Sequence, residues 1–193
     1  MIAYLTGLFA YKSPALVYVE VEGVGYEVNI TLNTFTEIQH MAKGTLYTYL
    51  QVKEDAHTLY GFSNMAEKTM FVKLIGINGV GAATARIMLS SLKPDDITKA
   101  IVQNNTRLLE GIKGIGKKTA ERIVLELKDK LNKNDATNLN SSLIYNTLEQ
   151  DALNALLALG IGRQQAENAI KKTISSEENQ NLEQLIKKAL QSI

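Results

Sequence analysis

Residues 76–85 read Gly-Ile-Asn-Gly-Val-Gly-Ala-Ala-Thr-Ala, and residues 111–120 repeat the pattern as Gly-Ile-Lys-Gly-Ile-Gly-Lys-Lys-Thr-Ala. Six of the ten positions are identical, at an offset of 35 residues. Both copies lie between stretches with helical periodicity, so each predicts two helices joined by a tight hairpin. The chain therefore contains an internal repeat of one supersecondary unit.

The glycines of the repeat are expected to have two roles. Gly79 and Gly114 fit the bend of each hairpin, where a positive φ is free of a Cβ clash. Gly81 and Gly116 leave the backbone bare, so a phosphate could approach the unpaired amides at the next helix start. Two such sites related by a pseudo-twofold axis could hold both strands of a duplex across a minor groove, without reading bases. Four apolar residues should anchor the hairpins in the core: Ile77, Val80, Ile112 and Ile115.

Basic residues are concentrated in the same part of the chain. The net charge is only +1, but residues 64–131 carry 12 Lys and Arg against 7 Asp and Glu. Residues 1–63 carry 3 against 6, and residues 132–193 carry 6 against 7. A basic segment of this kind is where a phosphate-binding surface is expected. The predicted DNA-binding residues are Asn78, Gly79, Val80, Gly81, Gly114, Ile115, Gly116, Lys117, Lys118 and Arg122.

Other interpretations of the repeat make different predictions. The glycines could be ordinary helix C-caps, or the hairpins could belong to a nuclease, a glycosylase or a protein-binding scaffold. The segment from Gly111 to Lys117 resembles a P-loop, but Lys118 stands where the metal-binding hydroxyl should be, and the preceding residues read as helix. His40 and His57 have no second ligand nearby, and cysteine is absent. No catalytic residue, metal site or cofactor is therefore predicted.

Residues 1–63 show the alternation typical of strands. Five strands are expected, and that number fits a small barrel of the OB type. The Glu22-Gly23 step between two of them indicates a tight hairpin. The expected strands are Ile2–Phe9, Leu16–Val21, Val24–Ile30, Thr45–Val52 and Leu59–Phe62.

Helical periodicity begins after residue 63. Asn64 followed by Glu67 predicts a helix start with a reciprocal cap, and Pro94 predicts another start. The expected fold class is α+β, with four parts: an OB-like barrel (1–63), a tandem helix-hairpin-helix domain (64–131), a flexible linker (132–148) and a three-helix module (149–193). No apolar run approaches the roughly 18 residues that span a bilayer, and no signal peptide is visible, which favours the cytoplasm.

Over nearly its whole length the chain resembles the RuvA family. Helix-hairpin-helix motifs alone occur in many DNA-repair proteins, whereas their combination with a barrel carrying Glu-Asp-Ala and Tyr-Gly-Phe is far more specific. The matching stretches are Val21–Tyr26, Lys53–Ala56, Leu59–Phe62, Asn78–Gly81 and Gly114–Arg122.

The resemblance implies a non-catalytic subunit that recognises Holliday junctions in recombination and repair. It implies a homotetramer, with an octamer as the alternative assembly, whose flat basic face binds the four-way junction. It implies two partners: the hexameric ATPase RuvB, contacted through residues 149–193, and the junction endonuclease RuvC.

The resemblance also gives Glu54 and Asp55 a role. They match an acidic pair that forms a pin at the junction centre, where repulsion of phosphates would hold exchanging strands apart. The first hairpin departs from the family pattern, because Ala82 and Ala83 stand where the second hairpin has Lys117 and Lys118. It is therefore expected to hold phosphate through amides alone.

Overall fold

The computed structural model describes residues 1–135, 145–174 and 181–192. The chain forms two compact units, which divide between Asp135 and Ala136. The first unit contains the barrel and the tandem hairpins, and the second contains the C-terminal helices. Within the described ranges, no helix combines the length and apolarity needed to cross a membrane.

The N-terminal part is a closed five-stranded barrel, as the sequence predicts. The strands follow one another around the barrel in the order β1-β2-β3-β5-β4. All neighbours are antiparallel except β3 and β5, and β1 closes the barrel against β4. Glu22 and Gly23 both have positive φ (50° and 80°), which is the two-residue turn that matches the strand twist. The strands are β1 (Tyr4–Ser13), β2 (Leu16–Val21), β3 (Val24–Ile30), β4 (Lys43–Val52) and β5 (His57–Phe62).

A helix between β3 and β4 was not predicted. Helix α1 (Leu32–Ile38) begins at Thr31, whose hydroxyl accepts a hydrogen bond from the Thr34 amide at 3.0 Å. Its Ile38 side chain is buried in the barrel core, and Phe35 packs against the same core. The helix contains two threonines and a phenylalanine, which have low helix propensity, so packing and the cap outweigh local preference here.

The middle part is helical and contains both hairpins. One core of buried residues runs through all of it. The first hairpin joins α2 to α3, the second joins α5 to α6, and α4 begins with Pro94 in its first turn as predicted. The helices are α2 (Met65–Ile75), α3 (Ala82–Ser91), α4 (Pro94–Val102), α5 (Thr106–Glu110) and α6 (Lys117–Asp135).

Of the two hydrogen bonds predicted for the reciprocal cap of α2, the one accepted by Asn64 is confirmed and the one accepted by Glu67 is wrong. Asn64 does cap the helix, since its side chain accepts from the Glu67 amide at 2.9 Å. The Glu67 carboxylate, however, accepts hydrogen bonds from the hydroxyls of Thr31 and Thr34 on the barrel side. The Glu67 side chain is buried against α1, whereas the residues before it in α2 are exposed, so the carboxylate binds across the interface to the two threonines. Burial raises the pKa of the Glu67 carboxyl, against the lowering effect of these hydrogen bonds.

An aromatic cluster joins the barrel to the helices. Phe71 of α2 is fully buried, and its ring centre lies 5.5 Å from that of Tyr49, 5.2 Å from Tyr60 and 4.9 Å from Phe62. Tyr49 belongs to β4, whereas Tyr60 and Phe62 belong to β5. The helical core therefore continues directly onto two barrel strands.

Polar contacts reinforce the same interface. The Asn33 side-chain amide of α1 donates to the carbonyls of Leu89 and Leu92 near the end of α3. Arg86 of α3 donates to the Asn29 side-chain oxygen of β3 at 2.7 Å. The barrel is thus attached to α3 as well as to α2.

In its described residues, 145–174 and 181–192, the C-terminal unit is a bundle of three helices around its own core, as predicted. The core is formed mainly by Ala and Leu side chains, with Ile170 among them. Helix α6 extends to Asp135 and α7 begins at Tyr145, so both ends of the segment predicted as a linker (132–148) are helical, and its middle lies outside the described residues. The helices are α7 (Tyr145–Ala158), α8 (Arg163–Ile174) and α9 (Leu182–Gln191).

Replacement of Phe71 by Ala should destabilise the first unit strongly. Because the ring is fully buried among three others, its loss leaves a cavity and is expected to lower the free energy of unfolding by about 3–5 kcal/mol. Urea unfolding followed by far-UV circular dichroism measures this change. The neighbouring Val72→Ala is the control, because Val72 is 43% exposed and should cost less than about 0.5 kcal/mol. Equal stability of the two variants would show that the aromatic cluster does not hold the parts together.

Candidate nucleic-acid interface

The two hairpins have the same local geometry. Gly79 has φ +93° and Gly114 has φ +92°, so both bends use the left-handed conformation that glycine adopts without strain. In each hairpin the residue after this glycine donates its amide to the carbonyl three residues earlier, at 3.0 Å. In each, the oxygen of the second glycine accepts the first backbone bond of the next helix, at 2.9 Å. The sequence repeat is therefore a structural repeat.

The second glycine of each hairpin is not required by the fold. Gly81 has φ −83° and ψ 168°, which any residue can adopt. Among the described residues, no heavy atom lies within 4 Å of the position that a Cβ would take at Gly81 or at Gly116. Neither backbone strain nor internal packing accounts for glycine at these two positions. A close approach by a molecule outside the chain would account for it.

The helix start behind Gly81 has no side-chain cap. Gly81 is the N-cap of α3, and no side chain of the described residues caps that start. The first-turn amides of α3 have no partner within the helix, and Gly81, Ala82 and Ala83 carry no polar side-chain atom that could bind them. Ile77, Val80, Ile112 and Ile115 are buried beneath the exposed loops, so the predicted anchoring role is confirmed. Each hairpin is a rigid bend with an open backbone surface.

The fold brings the two hairpins next to each other. A Cβ at Gly114 would lie 3.9 Å from the Thr84 Cγ2 atom in the first turn of α3. Arg122 of α6 donates from Nη1 to the carbonyl oxygen of Asn78 in the first hairpin, at 3.3 Å. Arg122 also lies 3.8 Å from Glu126, measured from Nε to Oε1. The sequence predicts Arg122 as a DNA contact, and the structure places it as a link from α6 to the first loop.

Positive charge surrounds the second hairpin. Lys117 and Lys118 lie in the first turn of α6, where no acidic residue offsets them, and both are exposed. A cation at a helix start is unfavourable unless an anion binds there. Lys113 is exposed beside Gly114, and the repeat aligns it with Asn78, so it joins the candidates as a further basic residue at this loop.

The acidic pair lies at the tip of the β4–β5 hairpin. Val52 and His57 form the last strand pair, and the Lys53 amide closes the turn by donating to the Ala56 carbonyl at 2.9 Å. Glu54 and Asp55 are exposed between them, and neither forms a salt bridge within the described residues. The two strands below this tip carry the aromatic residues that pack on Phe71. The tip is thus joined through β4 and β5 to the hairpin domain.

The alternative sites lack the required surroundings. The residues before Gly111 form helix α5, so the segment that resembles a P-loop does not follow a strand. His40 and His57 are both exposed. Within the described residues, no group of three or more His, Cys, Asp or Glu side chains is placed to hold a metal ion.

Comparison with known proteins agrees with this arrangement. Three family models match: "RuvA N terminal domain" over residues 1–61, "SAM-like Helix-hairpin-helix tandem" over 71–129 and "RuvA, C-terminal domain" over 147–193. The chain is similar to proteins named Holliday junction branch migration complex subunit RuvA. The one from Cytophaga hutchinsonii is 40% identical over 98% of each chain, and that from Christiangramia forsetii is 42% identical over 100% of both. The one from Coxiella burnetii is 43% identical over 88% of each chain. On the strength of this similarity along its whole length, the chain belongs to the RuvA family.

Proposed function

We propose that this protein is the DNA-binding subunit of a branch-migration complex, and that it recognises Holliday junctions during recombination and repair. The observation that carries the proposal is the pair of adjacent hairpins whose second glycines face open space. Each loop offers uncapped helix-start amides to one backbone phosphate. The names of the relatives indicate which kind of DNA is bound, and the hairpins indicate how the protein binds it.

Binding of this kind reads the backbone and not the bases. Amides and lysines contact phosphate oxygens, which are the same in every sequence. The affinity should therefore fall steeply as salt rises, since phosphate neutralisation releases counterions. The contacts are proposed from both loops and from the basic start of α6: Asn78, Gly79, Val80, Gly81, Lys113, Gly114, Ile115, Gly116, Lys117, Lys118 and Arg122.

The acidic tip supplies the preference for a junction. Glu54 and Asp55 would repel the phosphates of a continuous duplex, whereas a crossover leaves room for them between separating strands. In a homotetramer or octamer, several such tips would meet at the centre of the junction. The tips are then the pin that holds exchanging strands apart.

The partners follow from the same assignment. The protein itself would not hydrolyse ATP, since that step belongs to the hexameric ATPase RuvB. The separate C-terminal bundle, residues 149–193, is proposed as the module that contacts RuvB. The endonuclease RuvC would act on the same junction, and the complex would work in the cytoplasm.

The proposed function is tested by blocking the two open glycines. Gly81→Val with Gly116→Val should leave the fold intact, because the space around both positions is empty. The new side chains should keep phosphate from the amides and weaken binding of a four-way junction by about tenfold or more, the scale of lost hydrogen bonds to a charged group. Gel shifts at two salt concentrations measure the change.

Gly162→Val is the matched control for this experiment. Gly162 precedes α8 and follows Gly160, a positive-φ glycine two residues earlier, but it lies in the other unit. The Gly162→Val variant should bind the junction with the affinity of the wild-type protein. Unchanged junction binding by the folded double variant would leave the hairpins without the proposed role.

Removal of charge from the pin should reduce its discrimination. Glu54→Gln with Asp55→Asn keeps side-chain size and removes the repulsion, so affinity for linear duplex is expected to rise about threefold or more. The preference for a four-way junction over duplex should fall accordingly. Glu20→Gln with Glu27→Gln removes two charges from exposed positions of β2 and β3 and serves as the control. Equal selectivity of the pin variant and the control would contradict the assignment of the pin.

A further inference from the structure

A buried polar cluster joins the barrel to the hairpin domain, and it consists of Thr31, Thr34 and Glu67. We propose that Glu67 is a positioning residue: by binding both threonines it fixes the acidic pin relative to the two hairpins and thereby sets the preference for a four-way junction. This inference rests on the proposed function. It adds a determinant of selectivity that does not itself contact DNA.

Each threonine hydroxyl of this cluster accepts a hydrogen bond from one backbone amide. The Thr31 hydroxyl oxygen accepts from the Thr34 amide at 3.0 Å, and the Thr34 hydroxyl oxygen accepts from the Ser63 amide at 3.0 Å. Each hydroxyl then donates its own proton to Glu67. Thr31 donates to Oε1, and Thr34 donates to Oε2 at 2.7 Å. Both oxygens of Glu67 therefore act as acceptors.

Because the cluster is buried, its hydrogen bonds must be satisfied within the protein. Thr31 and Thr34 are 0% exposed and Glu67 is 1% exposed, so water cannot replace a lost partner. A glutamine at this position has the same shape but only one acceptor oxygen, and its amide group would meet a hydroxyl proton. A carboxylate thus suits the site where an amide does not.

A carboxylate is also a costly way to hold two parts of a protein together. Apolar residues of similar volume commonly give equal or greater stability than a buried charge. A satisfied polar cluster, in contrast, permits one relative orientation, since hydrogen bonds are directional and hydrophobic contacts are not. The chemistry of the cluster therefore indicates that Glu67 fixes the relative orientation of the barrel and the helices more than it stabilises their contact.

The orientation that Glu67 fixes is that of the pin. One helical turn after Glu67, Phe71 packs on Tyr49, Tyr60 and Phe62. These three residues lie on β4 and β5, the strands that lead to Glu54 and Asp55. The aromatic contact packs the strands against α2, and the hydrogen bonds of Glu67 hold α2 to Thr31 and Thr34. The Ser63 amide, directly after β5, donates to Thr34 and so joins the end of that strand to the same cluster. Because α2 enters the first hairpin directly, an error in this orientation would move the pin relative to the phosphate sites.

Glu67→Gln tests the proposal, with Glu37→Gln as its control. Glu37 is exposed and close enough to act on the charge of Glu67, so its replacement removes one nearby charge and none of these hydrogen bonds. Affinities for a four-way junction and for linear duplex are measured in the full-length protein. Glu67→Gln should lower the ratio of the two affinities by about fivefold, the scale of one lost hydrogen bond. Glu37→Gln should leave the ratio unchanged.

A distance measurement reports the orientation without DNA. The chain has no cysteine, so Ala56→Cys beside the pin and Val102→Cys on α4 accept two spin labels at defined positions. Labelled chains are diluted with unlabelled ones, so that distances within one subunit dominate. The distance distribution should broaden in Glu67→Gln and stay narrow in Glu37→Gln.

A second pair of variants covers the case in which Glu67→Gln does not fold. Thr34→Val removes the hydroxyl and should reproduce the loss of selectivity, whereas Thr34→Ser restores the hydroxyl and should rescue it. An unchanged affinity ratio together with an unchanged distance distribution in a folded variant overturns the inference. If the wild-type protein shows no preference for the junction, the proposed function fails instead, and the spin-label distances still decide whether Glu67 fixes the pin.

Discussion

Amide groups in the first turn of an α-helix have no partner within that helix, and the account of this protein depends on that constraint. In most helices a side chain or water satisfies these amides. Here the start of α3 has a glycine N-cap, and Gly81 and Gly116 both leave empty space where a side chain would be. The amides remain available to an anion, and a backbone phosphate is the anion that two matched sites side by side would fit.

The two proposed phosphate sites could act together on DNA only if their separation is fixed. The shared core beneath both loops provides that, together with the Arg122 bridge to Asn78. The same reasoning extends to the acidic tip, since β4 and β5 pack on Phe71 of α2. In the proposed function, attraction for phosphate at the hairpins is combined with repulsion at the acidic tip. A junction would satisfy both at once, whereas a continuous duplex would satisfy the first alone.

Much of the fold could be predicted, because many of its elements follow from local sequence patterns. The hairpins follow from the glycine repeat, and the barrel strands follow from alternation of apolar residues. Helix α1 could not be found in this way, since its helix depends on Ile38 reaching the barrel core. The partners of Glu67 and the reach of Arg122 are contacts between distant segments, 33 to 44 residues apart, so local patterns carry no sign of them. The loops of the candidate site could therefore be predicted from the sequence, whereas the long-range contacts that align them could not.

The most direct measurement of the central claim is the amide spectrum of the protein, labelled with ¹⁵N and deuterium, during titration with a short duplex. If phosphates bind at both helix starts, the amide resonances at the starts of α3 and α6 should shift together, and the Gly160–Gly162 loop of the other unit should not respond. Shifts confined to one hairpin, or to side chains elsewhere while both helix starts remain unchanged, would show that the hairpins are not a pair of phosphate sites.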